Sequence, residues 1–130
     1  MPSVLFLCVH NAGRSQMAAG FARALFNGVV EVGSAGSEPA NHVNPDAVAV
    51  MAEVGIDIAG EQPQHWTDDQ IRAADVVVTM GCGDECPVFP GTLYVDWELA
   101  DPAVLSIEEI RPIRDEIKVR VSELLAEMLS

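Results

Sequence analysis

The apolar positions of this chain change their spacing several times, and each change marks an element. Residues 3–7 (S-V-L-F-L) form an almost unbroken apolar run, the pattern of a strand covered on both faces as in a parallel sheet. From residue 14 the spacing becomes helical and continues to residue 26, with Met17, Phe21, Ala24 and Leu25 on an inward stripe. Asn27-Gly28 stops that helix. Residues 29–34 (V-V-E-V-G-S) return to strand character and are closed by Ala35-Gly36. Asn44-Pro45 opens a second helix, and Val48, Met51, Ala52 and Val54 supply its apolar side up to Gly55. Residues 60–67 are polar and irregular. Thr67 has the form of an N-cap for a short helix over 68–74, whose first turn carries Asp68 and Asp69.

The second half continues the alternation. Residues 75–80 (D-V-V-V-T-M) predict a third buried strand, 81–91 a Gly- and Pro-rich loop, and 92–95 a short fourth strand. A loop over 96–102 ends in Asp101-Pro102. Ser106 and Glu109 have capping-box spacing. Beyond them Ile107, Ile110, Ile113, Ile117, Val121, Leu124, Leu125 and Met128 trace a long amphipathic helix. Pro112 interrupts this pattern: either the helix kinks there, or a turn precedes a helix that starts near Arg111.

Strands alternating with helices predict an α/β fold: a single three-layer domain over residues 1–130, with four parallel strands in the order 2-1-3-4. Strands one and three are then neighbours, about 4.8 Å apart. The topological switch point, where open α/β sheets bind ligands, lies between their carboxyl ends. Cys8 and Cys82 each stand just past one of those ends.

Composition narrows the reading. With 130 residues and 49% hydrophobic content the chain can bury one core. A net charge of −13 argues against nucleic acid as a partner, so an anion must be met by locally concentrated positive potential. No apolar run approaches a membrane span and no basic stretch precedes residues 4–7, so a cytoplasmic protein without membrane association is expected. Three cysteines in that compartment point to redox or nucleophilic chemistry rather than a disulfide framework. Their spacing supports no zinc site, and no metal is expected.

The candidate chemistry sits in C-V-H-N-A-G-R-S at 8–15. The amides of Val9, His10, Asn11, Ala12 and Gly13 can curl into an anion-binding nest that leads to a helix N-terminus at Arg14 and Ser15. Arg14 adds a planar fork for two oxyanion oxygens. Positive potential there favours the Cys8 thiolate, and Ser15 can donate a hydrogen bond to it. Asn11 tolerates a left-handed turn, and Gly13 lets the backbone approach the anion. The bland alternative is a buried strand-end thiol and a surface arginine, since C-x5-R alone arises by chance. The setting between a buried strand and a helix favours the oxyanion loop. His10 reads as a solvent-facing loop residue, His42 and His65 as surface residues, and Trp66, Trp97 and Met80 as packing.

These residues carry a resemblance. C-V-H-N-A-G-R-S-Q-M-A, S-A-G at 34–36, N-P at 44–45, V-V-T-M at 77–80, D-P at 101–102 and R-D-E-I at 114–117 resemble the low-molecular-weight phosphotyrosine phosphatase superfamily. Within it, the chain is most similar to arsenate reductases coupled to thioredoxin. The resemblance implies Cys8 as nucleophile, Arg14 as oxyanion clamp and Asp101 as general acid. Cys82 and Cys86 would form a disulfide relay, no cofactor would be bound, and thioredoxin or a low-molecular-weight thiol would be the external reductant. Arsenate would be the substrate, with phosphate or sulfate as competing oxyanions.

Two alternatives stay open: a phosphatase that hydrolyses its adduct with water, and a non-catalytic oxyanion or redox sensor. Phosphatases of the superfamily carry aromatic residues after the Asp-Pro, where this chain has Ala103-Val104-Leu105. The chain also departs from better-known thioredoxin-coupled members. Cys82 stands one residue later after V-V-T, and only three residues separate it from Cys86. Some members hold potassium with an acidic residue on helix one, where this chain has Ala19.

Overall fold

The strand predicted at 3–7 runs one residue further, and its alternating side chains divide the molecule into two cores. The computed structural model describes residues 1–81, 89–102 and 105–130. The elements in chain order are β1 (Ser3–Cys8), α1 (Arg14–Leu25), β2 (Glu31–Gly36), α2 (Pro45–Ala52), α3 (Asp68–Ala73), β3 (Val76–Met80), β4 (Leu93–Asp96) and α4 (Ile107–Met128). The four strands form one parallel sheet in the order β2-β1-β3-β4, as the alternation predicts.

Val4, Phe6 and Cys8 of β1 join Val76, Val78 and Met80 in the larger core, with α1, α2 and α4. Leu5 and Leu7 face the other way, into a smaller core with Ala35, Ile71, Ala74 and Val77. Period-two alternation on a sheet buried on both faces produces this division. Trp97 is 5% exposed and its ring centroid lies 6.1 Å from that of Phe6, the packing role expected of it.

Several boundaries and faces differ from the sequence reading. Along α1 every residue from Arg14 to Ala22 is buried, including the expected Met17 and Phe21, while Ala24 is exposed and Leu25 is 46% exposed. Ala24 and Leu25 stand seven residues beyond Met17 and Ala18, on the same faces, so they are exposed because the last turn of α1 runs past the core. β2 begins two residues later than predicted, at Glu31, and reaches Gly36. In α2 the buried residues are Ala47, Val50 and Met51, whereas Ala52 and Val54 are exposed. The helix predicted over 68–74 ends at Ala73, behind a complete Thr67–Gln70 capping box. β3 starts at Val76, and β4 is shifted by one residue to Leu93–Asp96.

The ambiguity at Pro112 resolves in favour of one continuous helix. Ser106 caps α4, with its hydroxyl 3.3 Å from the Glu109 amide and Glu109 reaching back, so the helix starts well before Arg111. Pro112 is exposed, so water can satisfy the Glu108 carbonyl that its ring leaves without an amide partner.

α2 is tied to α4 by Glu53. Its carboxylate accepts from Arg111 Nε at 3.0 Å, Arg111 Nη2 at 2.7 Å and Arg114 Nη1 at 2.7 Å. Arg114 also donates to the Val50 carbonyl at 2.9 Å, which places the R-D-E-I motif in an inter-helix tie. The Arg111 hydrogen bond, reinforced by Arg114, lowers the Glu53 pKa from 4.5 to about 2. A depressed carboxylate pKa stabilises the fold above the unfolded value, and that stabilisation is lost as pH falls through the folded one. The melting-temperature advantage of the native chain over Glu53→Gln is therefore expected to shrink between pH 4.5 and about 2. Parallel melting curves for the two proteins across that window would refute the assignment.

Candidate active site

Cys8 is the last residue of β1 rather than the first beyond it, in register with Gly36 of β2 and Met80 of β3. That register puts the thiol at the switch point between β1 and β3, with 2% of the residue exposed. Its Sγ lies 2.9 Å from Ser15 Oγ, which accepts a 2.7 Å hydrogen bond from Asn11 Nδ2. A hydroxyl that accepts on one side keeps its own proton to donate on the other. Ser15 can therefore hold a thiolate at Cys8.

The loop between β1 and α1 turns its carbonyls outward. Val9 O accepts from the Glu38 amide at 2.8 Å, His10 O from Ala40 at 3.0 Å, Ala12 O from Asn44 at 2.8 Å and Gly13 O from Met17 at 2.9 Å. Asn11 O accepts from Gln16 Nε2 at 3.1 Å. In a trans peptide plane each carbonyl is antiparallel to the next amide, and the chain has no cis bond among the described residues. Five outward carbonyls therefore turn the amides of residues 10–14 to the concave side. The nest closes because Asn11 adopts φ 49°, the left-handed turn expected there.

The start of α1 carries no side-chain cap, whereas α2, α3 and α4 are capped by Asn44, Thr67 and Ser106. Its first amides and the helix dipole thus remain available to an anion.

Two glycines act through what a Cβ would meet. A Cβ on Gly36 would lie 2.5 Å from Val9 O and 2.8 Å from Cys8 O, so the loop can fold over the end of β2 only because that position is bare. Gly13 has a second role besides the one expected. Its Cβ would lie 3.1 Å from Pro102 Cγ, so its missing side chain makes room for the Asp101-Pro102 turn.

Arg14 is 6% exposed and spans from the loop to that turn. Its Nη1 donates to the Leu99 carbonyl at 3.3 Å, and its Nη2 lies 3.8 Å from Asp101 Oδ2. Cys8, Arg14 and Asp101 face a cavity of about 190 Å3 whose far wall includes Ala40, His42 and Asn44. No Phe, Tyr or Trp lines it among the described residues. The arrangement can seat a tetrahedral anion on inward amides and a guanidinium, with a sulfur nucleophile beneath and a carboxyl group at the rim.

The structure brings together Cys8, the loop residues Val9, His10, Asn11, Ala12 and Gly13, Arg14, Ser15 and Asp101. Cys82 and Cys86 lie outside the described residues, as do Ala103 and Val104. His10 is half-buried rather than solvent-facing: it lines the cavity, and its Nδ1 lies 3.1 Å from the Glu38 carbonyl. His42 is exposed as expected, yet it lines the same cavity.

Gln16 and Gln64 were not singled out by the sequence. Gln64 donates its backbone N–H to Asn11 Oδ1 at 3.0 Å from 53 positions away, a separation no local pattern reveals. Gln16 stands within the stretch C-V-H-N-A-G-R-S-Q-M-A but received no role, because a polar residue in the first turn of a helix reads as a surface position.

A family model described as low molecular weight phosphotyrosine protein phosphatase matches residues 3–130. The glutaredoxin arsenate reductase of Synechocystis is 40% identical over 131 residues, covering 98% of this chain and 99% of that protein. Arsenate reductase 1 of Staphylococcus epidermidis is 39% identical over 123 residues, 92% of each chain. Among solved structures, a thioredoxin-dependent arsenate reductase of Corynebacterium glutamicum superposes with a TM-score of 0.87 at 46% identity over 99% of this chain. This chain spans 62% of that protein's length. The family match runs from the first residue of β1 to the end of α4 and beyond, and so takes in Cys8, Arg14 and Asp101: the chain belongs to the low molecular weight phosphotyrosine protein phosphatase family.

Proposed function

We propose that the protein is a thiol-dependent arsenate reductase acting as one domain over its whole length. The observation that carries the reading is the Cys8 thiol, hydrogen-bonded by Ser15, at the base of a loop whose amides and Arg14 converge on one small cavity. The relatives named arsenate reductases support the choice of oxyanion. Arsenate seats its oxygens on the amides of residues 10–14 and on the Arg14 fork. The Cys8 thiolate attacks arsenic, and Asp101 protonates the departing oxygen, which leaves as water.

Reduction needs a second thiol. A Cys82 thiolate attacks the Cys8 sulfur, the sulfur–arsenic bond breaks, and its electron pair stays with arsenic as arsenite leaves. Cys86 then attacks Cys82, moving the disulfide to Cys82–Cys86 and freeing Cys8. An external dithiol, or two equivalents of a low-molecular-weight thiol, reduces that disulfide and closes the cycle. Thioredoxin is the reductant favoured by the Corynebacterium relative's name, and glutaredoxin is the one named for the Synechocystis relative. The chemistry fits a reducing cytoplasm, where thiols are continually regenerated. No helix among the described residues is long and apolar enough to cross a membrane.

Arsenate-dependent reductant consumption tests the reading, with thioredoxin, glutaredoxin plus glutathione, and a low-molecular-weight thiol supplied in turn. Turnover with at least one is expected. Cys82→Ser is expected to stop after one Cys8 adduct per protein, and sustained multiple turnover by that variant would sink the relay.

The second reading, a phosphatase, is favoured by the family itself, because the same loop would hold a phosphate monoester. The cavity's lack of a Phe, Tyr or Trp wall among the described residues weighs against a phenyl ester. Hydrolysis of p-nitrophenyl phosphate without arsenate-dependent reductant consumption would reverse the preference. Adduct formation without any turnover would indicate a sensor.

A further inference from the structure

We propose that Gln16 is a positioning residue for the nucleophile: through Asn11 and Ser15 it aims the hydrogen bond that Ser15 donates to Cys8. Its Nε2 lies 3.1 Å from Asn11 O and 3.2 Å from Asn11 Oδ1. Two acceptors on one amide group also determine which way that amide points, since the flipped form would set its oxygen against both.

Both bonds act on the residue at φ 49°. The bond to Asn11 O holds the peptide that turns the next amide into the nest. The bond to Asn11 Oδ1, shared with the Gln64 amide at 3.0 Å, fixes the carboxamide so that Nδ2 meets Ser15 Oγ at 2.7 Å. Ser15, accepting there, directs its proton to Cys8 Sγ at 2.9 Å. The four side chains act in series and are almost fully buried: Gln16 is 1% exposed, Asn11 and Ser15 0%, and Cys8, at the floor of the cavity, 2%.

A packing role does not explain the amide. Gln16 Oε1 is buried with no hydrogen-bond partner among the described residues, which is costly. Methionine would fill the same space without that orphaned acceptor. What methionine lacks is the pair of donors to Asn11.

This inference rests on Cys8 being the nucleophile of the proposed reaction. Its test uses neither arsenate nor reductant. Alkylation of Cys8 by iodoacetamide is followed on the Cys8 peptide by mass spectrometry, in the fully reduced full-length chain, from about pH 5 to 10, a range that spans the usual thiol titration. The proteins compared are the native chain, Gln16→Met, Gln16→Glu, Ser15→Ala and the Gln16→Met/Ser15→Ala pair.

Gln16→Met is expected to move the rate profile to higher pH and to slow alkylation at pH 7 by about three- to tenfold. The double variant is expected to match Ser15→Ala alone, because Gln16 reaches the sulfur only through Ser15. Gln16→Glu keeps the side chain's size while setting a carboxylate against the same two acceptors, and it is expected to shift the profile in the same direction. It serves as the test if Gln16→Met does not fold. A profile superimposable on the native one, or a double variant whose shift is the sum of the single shifts, overturns the proposal. Either result leaves the reductase reading standing, and a shifted profile in a protein that fails to reduce arsenate would support the positioning role while removing that reading.

Discussion

Cys8→Ser is expected to abolish arsenate-dependent reductant consumption, with at least about a 10⁴-fold loss, the scale seen when a nucleophile is removed from a catalytic constellation. Two separate losses combine. A serine hydroxyl is a far poorer nucleophile than a thiolate near neutral pH. It also cannot end the cycle, because a second thiol attacks sulfur to release arsenite and an oxygen at that position accepts no such attack.

Binding is expected to survive the substitution. The amides of residues 10–14 and Arg14 are untouched, and Ser15 still has an oxygen to face. Calorimetric titration with sulfate should therefore register the anion in the variant. Slow but continuing turnover in Cys8→Ser would show that another residue attacks arsenic, and the proposed mechanism would fail at its first step.

Gly36→Ala is expected to damage both the fold and the site. An added methyl group would sit 2.5 Å from Val9 O, 2.8 Å from Cys8 O and 3.0 Å from Asn11 N. All three are backbone atoms, which cannot rotate away as a side chain could. Overpacking of this kind costs about 3 kcal/mol, and a chain of this size then melts roughly 10 °C lower. Any relief comes from lifting the loop off β2, which spreads the inward amides. Oxyanion donors misplaced in this way are expected to cost about 10²-fold in kcat/KM. Thermal melts with steady-state kinetics check both effects. Native values for the alanine variant would mean that the loop does not depend on a bare position 36.

Much of this molecule is legible from local pattern. Strand β1 is apolar because both of its faces are covered, and that pattern survives in a single sequence. Ser106–Glu109 and Thr67–Gln70 are capping boxes whose partners stand three residues apart. The anion loop is legible for the same reason: Cys8, Asn11, Arg14 and Ser15 lie within one turn of chain, and their types suit the chemistry. Alternation of strands and helices was enough for the sheet order, since short right-handed crossovers leave few arrangements.

Faces and partners were less legible. Periodicity placed Met17 and Phe21 inward on α1, but it could not show that the last turn runs past the core and leaves Ala24 and Leu25 exposed. Gly13 illustrates the same limit. Its sequence context suggests approach to an anion, while its space is shaped by Pro102, far along the chain. His10 reads as solvent-facing from its loop setting, and only the fold sets its ring beside the Glu38 carbonyl and into the wall of the cavity.

The residues alone determined the elements, the parallel sheet and the thiol-arginine loop, because each follows from side-chain type and spacing within a few turns of backbone. Tertiary structure decided which groups from other segments complete that loop. Leu99 and Asp101 meet Arg14, the amides of Glu38, Ala40 and Asn44 turn the loop carbonyls outward, and Gln64 steadies Asn11. Those contacts join positions tens of residues apart, and only the assembled fold fixes the distances between them.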